Sequence, residues 1–270
     1  MAWCFSGGSS RAGCARPDFV VAARIQQKLD AVRGTRVRVL LLGLFVLVQS
    51  SRTTAQESSG TGQTRTVQTA TSTGRQGAYY LPRGHESRAL PLFIFFHGTG
   101  GKGSLAILRL QPLAEQEGFI ALAPDSVSVA GVWTVGRRSG EITEDRRHVM
   151  ACVREILAAP GVRIDVAHVL AAGFSVGGSG AAYLATHEAL FTDLAVLHGH
   201  IASEALGPRR PRTWVSAGDR DRVRTPGYMR SVAEQLERQG FAHATLRLFP
   251  ADHTLQNEEL NDLVAWWLGR

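Results

Sequence analysis

Apolar positions along the chain fall into two patterns, short continuous runs and stretches with helical spacing. The continuous runs predict strands over 77–81, 90–96, 119–123, 167–172, 194–197, 213–217 and 244–249. Helical spacing predicts helices over 105–117, 144–158, 177–186, 225–239 and 257–268. Strands that alternate with helices of this length indicate right-handed crossovers. The fold class is therefore α/β, with a mostly parallel central sheet and helices on both faces.

The first 76 residues differ from the remainder in composition. A basic patch ending at Arg38 precedes ten apolar residues, 39–48, which have the length of a signal-peptide core and are too short to span a membrane. We expect residues 1–55 to be an N-terminal extension in which 36–55 directs secretion or export to the periplasm, with no stable membrane span in the mature form. The alternatives are a membrane-anchoring helix or an amphipathic tail.

Residues 56–76 are rich in Ser, Thr, Gly and Gln, a composition typical of a flexible linker. Within them, 64–71 alternates well enough to enter a first edge strand. Residues 77–270 are then expected to form the main folded domain.

The positive net charge of the chain does not indicate nucleic-acid binding. The formal charge is +7, but residues 1–55 carry +6 and the remainder only +1. The body of the protein is therefore nearly neutral, with no basic stripe and no interleaved aromatic residues. We expect no nucleic-acid partner.

A Gly-Phe-Ser-Val-Gly motif at 173–177 lies between a predicted strand and a predicted helix. This is G-x-S-x-G in the context that gives it meaning, because a sharp strand-to-helix turn exposes the serine hydroxyl at the carboxyl edge of the sheet. The motif predicts Ser175 as a nucleophile. The alternative is a glycine-rich turn in which the serine only caps the helix.

A serine hydroxyl needs a base and a group that orients this base. In the α/β-hydrolase fold the chain order is Ser, acid, His. Asp221 follows the strand at 213–217 and is the predicted acid, with Asp219 as the alternative. His253 follows the last predicted strand and is the predicted base.

A glycine-rich loop, His-Gly-Thr-Gly-Gly at 97–101, follows the strand at 90–96. Backbone N–H groups in such a loop can meet the oxyanion of a tetrahedral intermediate. We assign one N–H to Val176 and the other to Thr99, with Gly98 or Gly100 as alternatives. His97 is predicted to fix the loop by a hydrogen bond.

His198 and His200 form an H-x-H pair after a strand, which can suggest a metal site. No carboxylate or cysteine is spaced alongside, so we predict no metal and no cofactor. Because of its place at the end of a strand, His198 is expected to border the substrate pocket.

Segment 90–101, Pro124-Asp125 with Trp133, Gly-Phe-Ser-Val-Gly-Gly at 173–178, Asp221 and His253 together resemble secreted esterases of the polyhydroxybutyrate depolymerase and feruloyl esterase type. The resemblance covers about residues 79–270. It implies an α/β-hydrolase fold and hydrolysis of hydroxyacid-polymer or hydroxycinnamate esters. It also implies that Trp133 lines the pocket, the alternative being a core anchor. Thr99 stands where a cysteine is common in that group, and the body has no disulfide-forming cysteines. These departures favour a small soluble ester.

The sequence thus predicts a serine carboxylic-ester hydrolase without a large lid. One alternative is a peptidase of the prolyl-oligopeptidase type, which uses the same triad. Another is a non-catalytic binding module on a hydrolase scaffold. The sequence does not specify the oligomeric state.

Sequencing the N-terminus of the exported protein tests the signal segment. We expect a mature chain that starts near Gln56, because a small residue, Ala55, ends the segment. An intact Met1 on protein recovered from the cytoplasm would contradict this prediction.

Overall fold

The described residues contain eight strands that form one sheet. The strands are β1 (Gln63–Thr66), β2 (Gly77–Leu81), β3 (Leu90–Phe96), β4 (Ile120–Pro124), β5 (Ile164–Phe174), β6 (Asp193–Leu197), β7 (Arg212–Gly218) and β8 (Leu246–Phe249). Their order is β1-β2-β4-β3-β5-β6-β7-β8. The pairs β1–β2 and β2–β4 are antiparallel, and every other neighbouring pair is parallel.

The structure is a computed structural model that describes residues 62–67, 75–136 and 141–270. The predicted extension 1–55 and its signal segment lie outside the described residues, as does most of the predicted linker. Within these described ranges, no helix is both long enough and apolar enough to cross a bilayer.

Five α-helices among the described residues cover the two faces of the sheet. They are α1 (Gly103–Glu117), α2 (Glu144–Ala158), α3 (Gly177–His187), α4 (Pro226–Arg238) and α5 (Asn257–Leu268). Apolar side chains of α1 and α5 pack on one face, and those of α2, α3 and α4 pack on the other. The predicted mostly parallel sheet with helices on both faces is confirmed.

The strand boundaries differ from the prediction in three places. Strand β1, the edge strand predicted over 64–71, begins one residue earlier, at Gln63, and pairs with β2. Strand β5 starts at Ile164, three residues earlier than predicted. Its first residues are only partly buried, but Ile164 still pairs with Leu90 of β3. Strand β8 starts at Leu246, since the preceding turn includes His243 at a positive φ of 62°.

The strand order reverses at the centre of the sheet, between β3 and β5. After β3 the chain crosses through α1 to β4 on one side, whereas β5 lies on the other side and leads to β6. Ligands of open α/β sheets bind in the crevice that such a reversal leaves at the carboxyl ends of the strands. His97 follows β3 and Ser175 follows β5, so both predicted site segments lie at this crevice.

Two glycines allow β5, α3 and β3 to meet closely behind Ser175. A Cβ atom built on Gly173 would lie 2.1 Å from the carbonyl oxygen of Gly177. A Cβ atom on Gly177 would lie 2.1 Å from the carbonyl oxygen of Phe96. These contacts are with backbone atoms, which cannot rotate away, so both positions require glycine.

We expect Gly177→Ala to lower the free energy of unfolding by about 1–3 kcal/mol, because the new methyl group overlaps the end of β3. Gly227→Ala is the matched control, since a Cβ atom there meets nothing within 4 Å. The control should raise the free energy of unfolding by about 0.4–1 kcal/mol, through a less flexible unfolded chain. Urea denaturation measures both changes, and equal effects would contradict the prediction.

Candidate active site

Ser175 occupies a strained turn between β5 and α3. Its φ is +55°, which side-chain-bearing residues adopt rarely. The backbone is held there because the Ser175 N–H donates to the carbonyl of Leu197 (3.0 Å) and the Gly178 N–H donates to the carbonyl of Ser175 (3.1 Å). Strain of this kind persists only where the surrounding structure fixes it, and it is concentrated at functional sites.

His253 lies between Ser175 and Asp221. The Ser175 hydroxyl is 3.0 Å from His253 Nε2, and His253 Nδ1 is 2.8 Å from Asp221 Oδ2. The Phe174 ring packs against the imidazole with 5.0 Å between ring centroids, which limits its movement. The structure therefore brings the predicted nucleophile, base and acid into one hydrogen-bonded series.

Asp221 is a carboxylate that is only 2% exposed. Its Oδ1 accepts the N–H groups of Val223 (2.7 Å) and Arg224 (2.8 Å). Burial alone would raise the pKa of Asp221, but the backbone and histidine hydrogen bonds outweigh it and hold the pKa below the usual value. Asp221 is therefore ionised at neutral pH.

The alternative acid, Asp219, does not contact His253. Its side chain is 46% exposed and forms an ion pair with Arg220 at 3.2 Å. The geometry therefore favours Asp221 over Asp219 as the partner of the histidine.

The loop at 97–101 lies directly against the serine. A Cβ atom built on Gly98 would be 3.4 Å from the Cβ atom of Ser175. Thr99 is exposed, and among the described residues neither its N–H nor that of Val176 donates to a protein acceptor. Two unused backbone donors are thus present on the segments that flank the serine hydroxyl.

His97 fixes this loop, as the sequence predicts. Its Nδ1–H donates to the Gly98 carbonyl (2.8 Å), and its Nε2 accepts the N–H of Ser126 (3.1 Å). Burial lowers the pKa of His97 more than the Gly98 contact raises it. The ring is therefore neutral, with one donor and one acceptor nitrogen.

Trp133 anchors the same loop from the core side. It is 4% exposed, its Nε1–H donates to the His97 carbonyl (2.8 Å), and its ring packs edge-on against Phe96. The expectation that Trp133 lines the substrate pocket is wrong, because the side chain is enclosed in the hydrophobic core. The alternative, a core anchor, agrees with the structure.

His198 is fully buried, so the expectation that it borders the substrate pocket is also wrong. Its Nδ1 lies 2.9 Å from Asp221 Oδ2, and its Nε2 lies 3.2 Å from Glu259 Oε2. The ring thus contacts the same Asp221 oxygen as His253 does. Its neighbour in the motif, His200, is half-buried and contacts the Ser179 hydroxyl at 3.0 Å.

Sequence reasoning missed two buried carboxylates that support the site. Asp145 on α2 accepts the N–H groups of Val127 and Thr134, and so holds the loop that carries Trp133. Glu259 on α5 contacts His198. The Gln-x-x-Glu spacing before α5 predicts only a helix cap, and nothing local shows that its partner is 61 residues earlier in the chain.

One cluster among the described residues has the ligand types of a metal site. Ligand atoms of His198, Asp221 and His253 lie within 4.8 Å of one another. The carboxylate oxygen is already at hydrogen-bond distance from both rings, 2.8 and 2.9 Å. We therefore interpret the cluster as a hydrogen-bonded unit, and the absence of a metal stays a prediction.

No protein-family model and no curated protein matches the chain. Among solved structures, an acetyl xylan esterase from Aspergillus awamori covers 78% of this chain and 99% of its own, with a TM-score of 0.59 and 18% identity. Esterase PE8 covers 72% of this chain and 98% of its own, with a TM-score of 0.57 and 18% identity. The chain has the α/β-hydrolase fold. The chain is also similar to an S-formylglutathione hydrolase from Agrobacterium tumefaciens, which covers 77% of this chain and 95% of its own, with a TM-score of 0.56 and 16% identity.

Asp221→Asn tests whether Asp221 is the carboxylate that orients His253. We expect labelling of Ser175 by a fluorophosphonate to slow by about three to four orders of magnitude, because an amide cannot accept from both histidines and disfavours the required tautomer of His253. Asp219→Asn is the matched control, and its surface position predicts a rate within about twofold of wild type. The opposite ranking of the two variants would transfer the role to Asp219.

Proposed function

We propose that the chain is a serine carboxylic-ester hydrolase that acts through an acyl-enzyme on Ser175. The observation that carries the proposal is the contact between the Ser175 hydroxyl and His253 Nε2, 3.0 Å, in a serine held at positive φ. The buried carboxylate of Asp221 orients the histidine from its other nitrogen. Two of the similar structures named above are esterases, which agrees with this chemistry.

The first half-reaction begins with attack of Ser175 Oγ on the ester carbonyl carbon while His253 Nε2 accepts the hydroxyl proton. The N–H groups of Val176 and Thr99 then donate to the oxyanion of the tetrahedral intermediate. When the intermediate collapses, the bond to the alcohol oxygen breaks and His253 returns the proton to that oxygen. The alcohol leaves, and the acyl group remains on Ser175.

The second half-reaction repeats the same steps with water. His253 Nε2 accepts a proton from water, whose oxygen attacks the acyl carbon. The second tetrahedral intermediate breaks its bond to Ser175 Oγ, which recovers the proton from His253. The carboxylic acid leaves, and Asp221 stays ionised throughout because it stabilises the imidazolium without accepting its proton.

The substrate we propose is a small soluble ester, with esters of the polyhydroxyalkanoate or feruloyl type as the alternatives that the sequence resemblance supplies. Between Val176 and Asp221, where every residue is described, the chain holds only α3, β6, a 3-10 turn (Ser203–Ala205) and β7. This stretch therefore adds no lid over the serine. It therefore supplies no apolar wall for a long acyl chain, which supports a small ester as substrate.

A fluorophosphonate probe tests the proposal directly. We expect the wild-type protein to be labelled and Ser175→Ala to be unlabelled, because the variant lacks the only oxygen that His253 Nε2 contacts at the turn. Ser179→Ala is the matched control, a serine four residues away whose hydroxyl faces His200, and it should retain labelling. An unlabelled wild-type protein would leave the binding-module interpretation instead.

The acyl preference is measured as kcat/KM of the wild-type protein on p-nitrophenyl esters of increasing chain length and on methyl ferulate. For a small-ester hydrolase we expect the highest kcat/KM on acetyl or butyryl esters. A maximum on long-chain esters or on methyl ferulate would contradict the small-ester assignment and leave the serine mechanism intact.

A further inference from the structure

A second histidine contacts the carboxylate of Asp221 and one further carboxylate. His198 Nδ1 is 2.9 Å from Asp221 Oδ2, the same oxygen that contacts His253, and His198 Nε2 is 3.2 Å from Glu259 Oε2. The side chains of His198, Asp221 and Glu259 have no exposed surface in these ion-pair contacts. The proposed reaction uses neither His198 nor Glu259.

Glu259 is itself fixed by further hydrogen bonds. The Ser216 hydroxyl donates to its Oε1 at 2.6 Å, and the Gln256 N–H at the start of α5 donates to its Oε2 at 3.4 Å. A buried carboxylate is costly unless hydrogen bonds and an opposite charge compensate it. The only cationic or imidazole group within reach of Glu259 among the described residues is His198.

The backbone of His198 is also unusual. Its φ is +46°, and its N–H donates to the carbonyl of Ser216 at 2.9 Å. A residue with a large side chain adopts this conformation only where the surroundings hold it. The ring is thus placed between the two carboxylates by a strained turn, as the hydroxyl of Ser175 is placed by its own turn.

The contacts of the ring indicate its charge. Each nitrogen faces an oxygen of a different carboxylate, and a bond from each nitrogen requires a proton on both. Burial alone would lower the pKa of His198, but the hydrogen bonds and charges of Glu259 and Asp221 outweigh it and raise the pKa above the usual value. The Gly218 N–H also lies 3.2 Å from Nδ1, the arrangement expected for an unprotonated nitrogen. A neutral ring would then direct its lone pair at Asp221 Oδ2, which is unfavourable while Asp221 is ionised.

The other groups around the His198 ring do not replace the two carboxylates as partners of its positive charge. His253, on the loop after β8, has its ring centroid 6.0 Å away, and Phe174 at the end of β5 has its ring centroid 5.7 Å away. Asp221 follows β7, and Glu259 lies on α5. Among the described residues, the titratable groups that face His198 are therefore two carboxylates and the proposed catalytic base.

We propose that His198, held by Glu259, is a positioning residue of the Ser175–His253–Asp221 unit: as a buried imidazolium it orients Asp221 and cancels part of the negative charge that His253 experiences. This inference rests on the proposed function. With His198 protonated, Asp221, His198 and Glu259 together carry one negative charge. Without that proton they carry two, and the added negative charge favours the protonated form of the nearby base.

His198→Asn tests the charge while keeping one donor. The Asn amide can replace Nδ1–H toward Asp221, and Asn tolerates a positive φ better than other non-glycine residues. We expect the acid limb of the pH profile of kcat/KM for p-nitrophenyl acetate to move upward by about one pH unit or more, since the base must now lose its proton at higher pH. A merely structural role would lower stability and leave the limb in place.

The double variant His198→Asn/Glu259→Gln is the matched control. It restores a single negative charge, and Gln retains the donors and acceptors that a helix cap can use. We expect its acid limb to return toward the wild-type position. An unmoved limb in the single variant, or a shift that persists undiminished in the double variant, would overturn the proposal.

Nitrogen NMR of the wild-type protein gives a second test that needs no variant to fold. We expect the two ring nitrogens of His198 to remain protonated at pH 8, where an ordinary imidazole is neutral. A single protonated nitrogen would overturn the proposal. A wild-type protein that neither labels with fluorophosphonate nor hydrolyses the ester would refute the proposed function, and the NMR result would still decide the charge of His198.

Discussion

The ionised carboxylate of Asp221 is the group on which the rest of the site depends. A buried charge of this kind persists only if its lone pairs are used. Here the N–H groups of Val223 and Arg224 occupy one oxygen, and two histidine rings approach the other. The loop after β7 must therefore close on itself, and His253 must approach from the loop after β8. The need to satisfy one carboxylate thus determines where the base is held.

The loop at 97–101 depends on a different and largely steric constraint. Its backbone lies beside Ser175 and the Phe174 ring, and a Cβ atom built on Gly98 would come within 3.1 Å of that ring, closer than ordinary contact. That closeness is maintained from behind by neutral groups: His97 bonds to the loop backbone, and Trp133 bonds to the His97 carbonyl from within the core. The family resemblance implies that Trp133 lines the pocket, but its hydrogen bond to the His97 carbonyl holds the ring in the core.

Sequence patterns predicted the features that depend on neighbours along the chain. The glycines around Ser175 and the strand-to-helix change located the turn, and chain order located Asp221 and His253. The role of His198 depends instead on Glu259, which is brought to it by the packing of α5 on the sheet. No local period or motif predicts the contact between His198 and Glu259, because the two residues share neither a strand nor a helix. The same limit applies to the bounds of β1: alternation predicted an edge strand over 64–71, but the pairing of its four exposed residues, Gln63–Thr66, with β2 depends on a distant part of the chain.

The two strained residues of the site follow from one property of the sheet. Beyond the ends of β5 and β6, the N–H groups of Ser175 and His198 still donate to the neighbouring strands, at Leu197 and Ser216. Each residue therefore adds one hydrogen bond to the parallel ladder, although the chain leaves the strand at that residue. A positive φ allows the backbone to make this bond and to turn at the same residue. Side chains at such corners are held in fixed directions. The sheet thus points one corner residue, Ser175, outward to the solvent and the next, His198, inward to Asp221, and the strain at both corners is offset by hydrogen bonds that the sheet must make in any case.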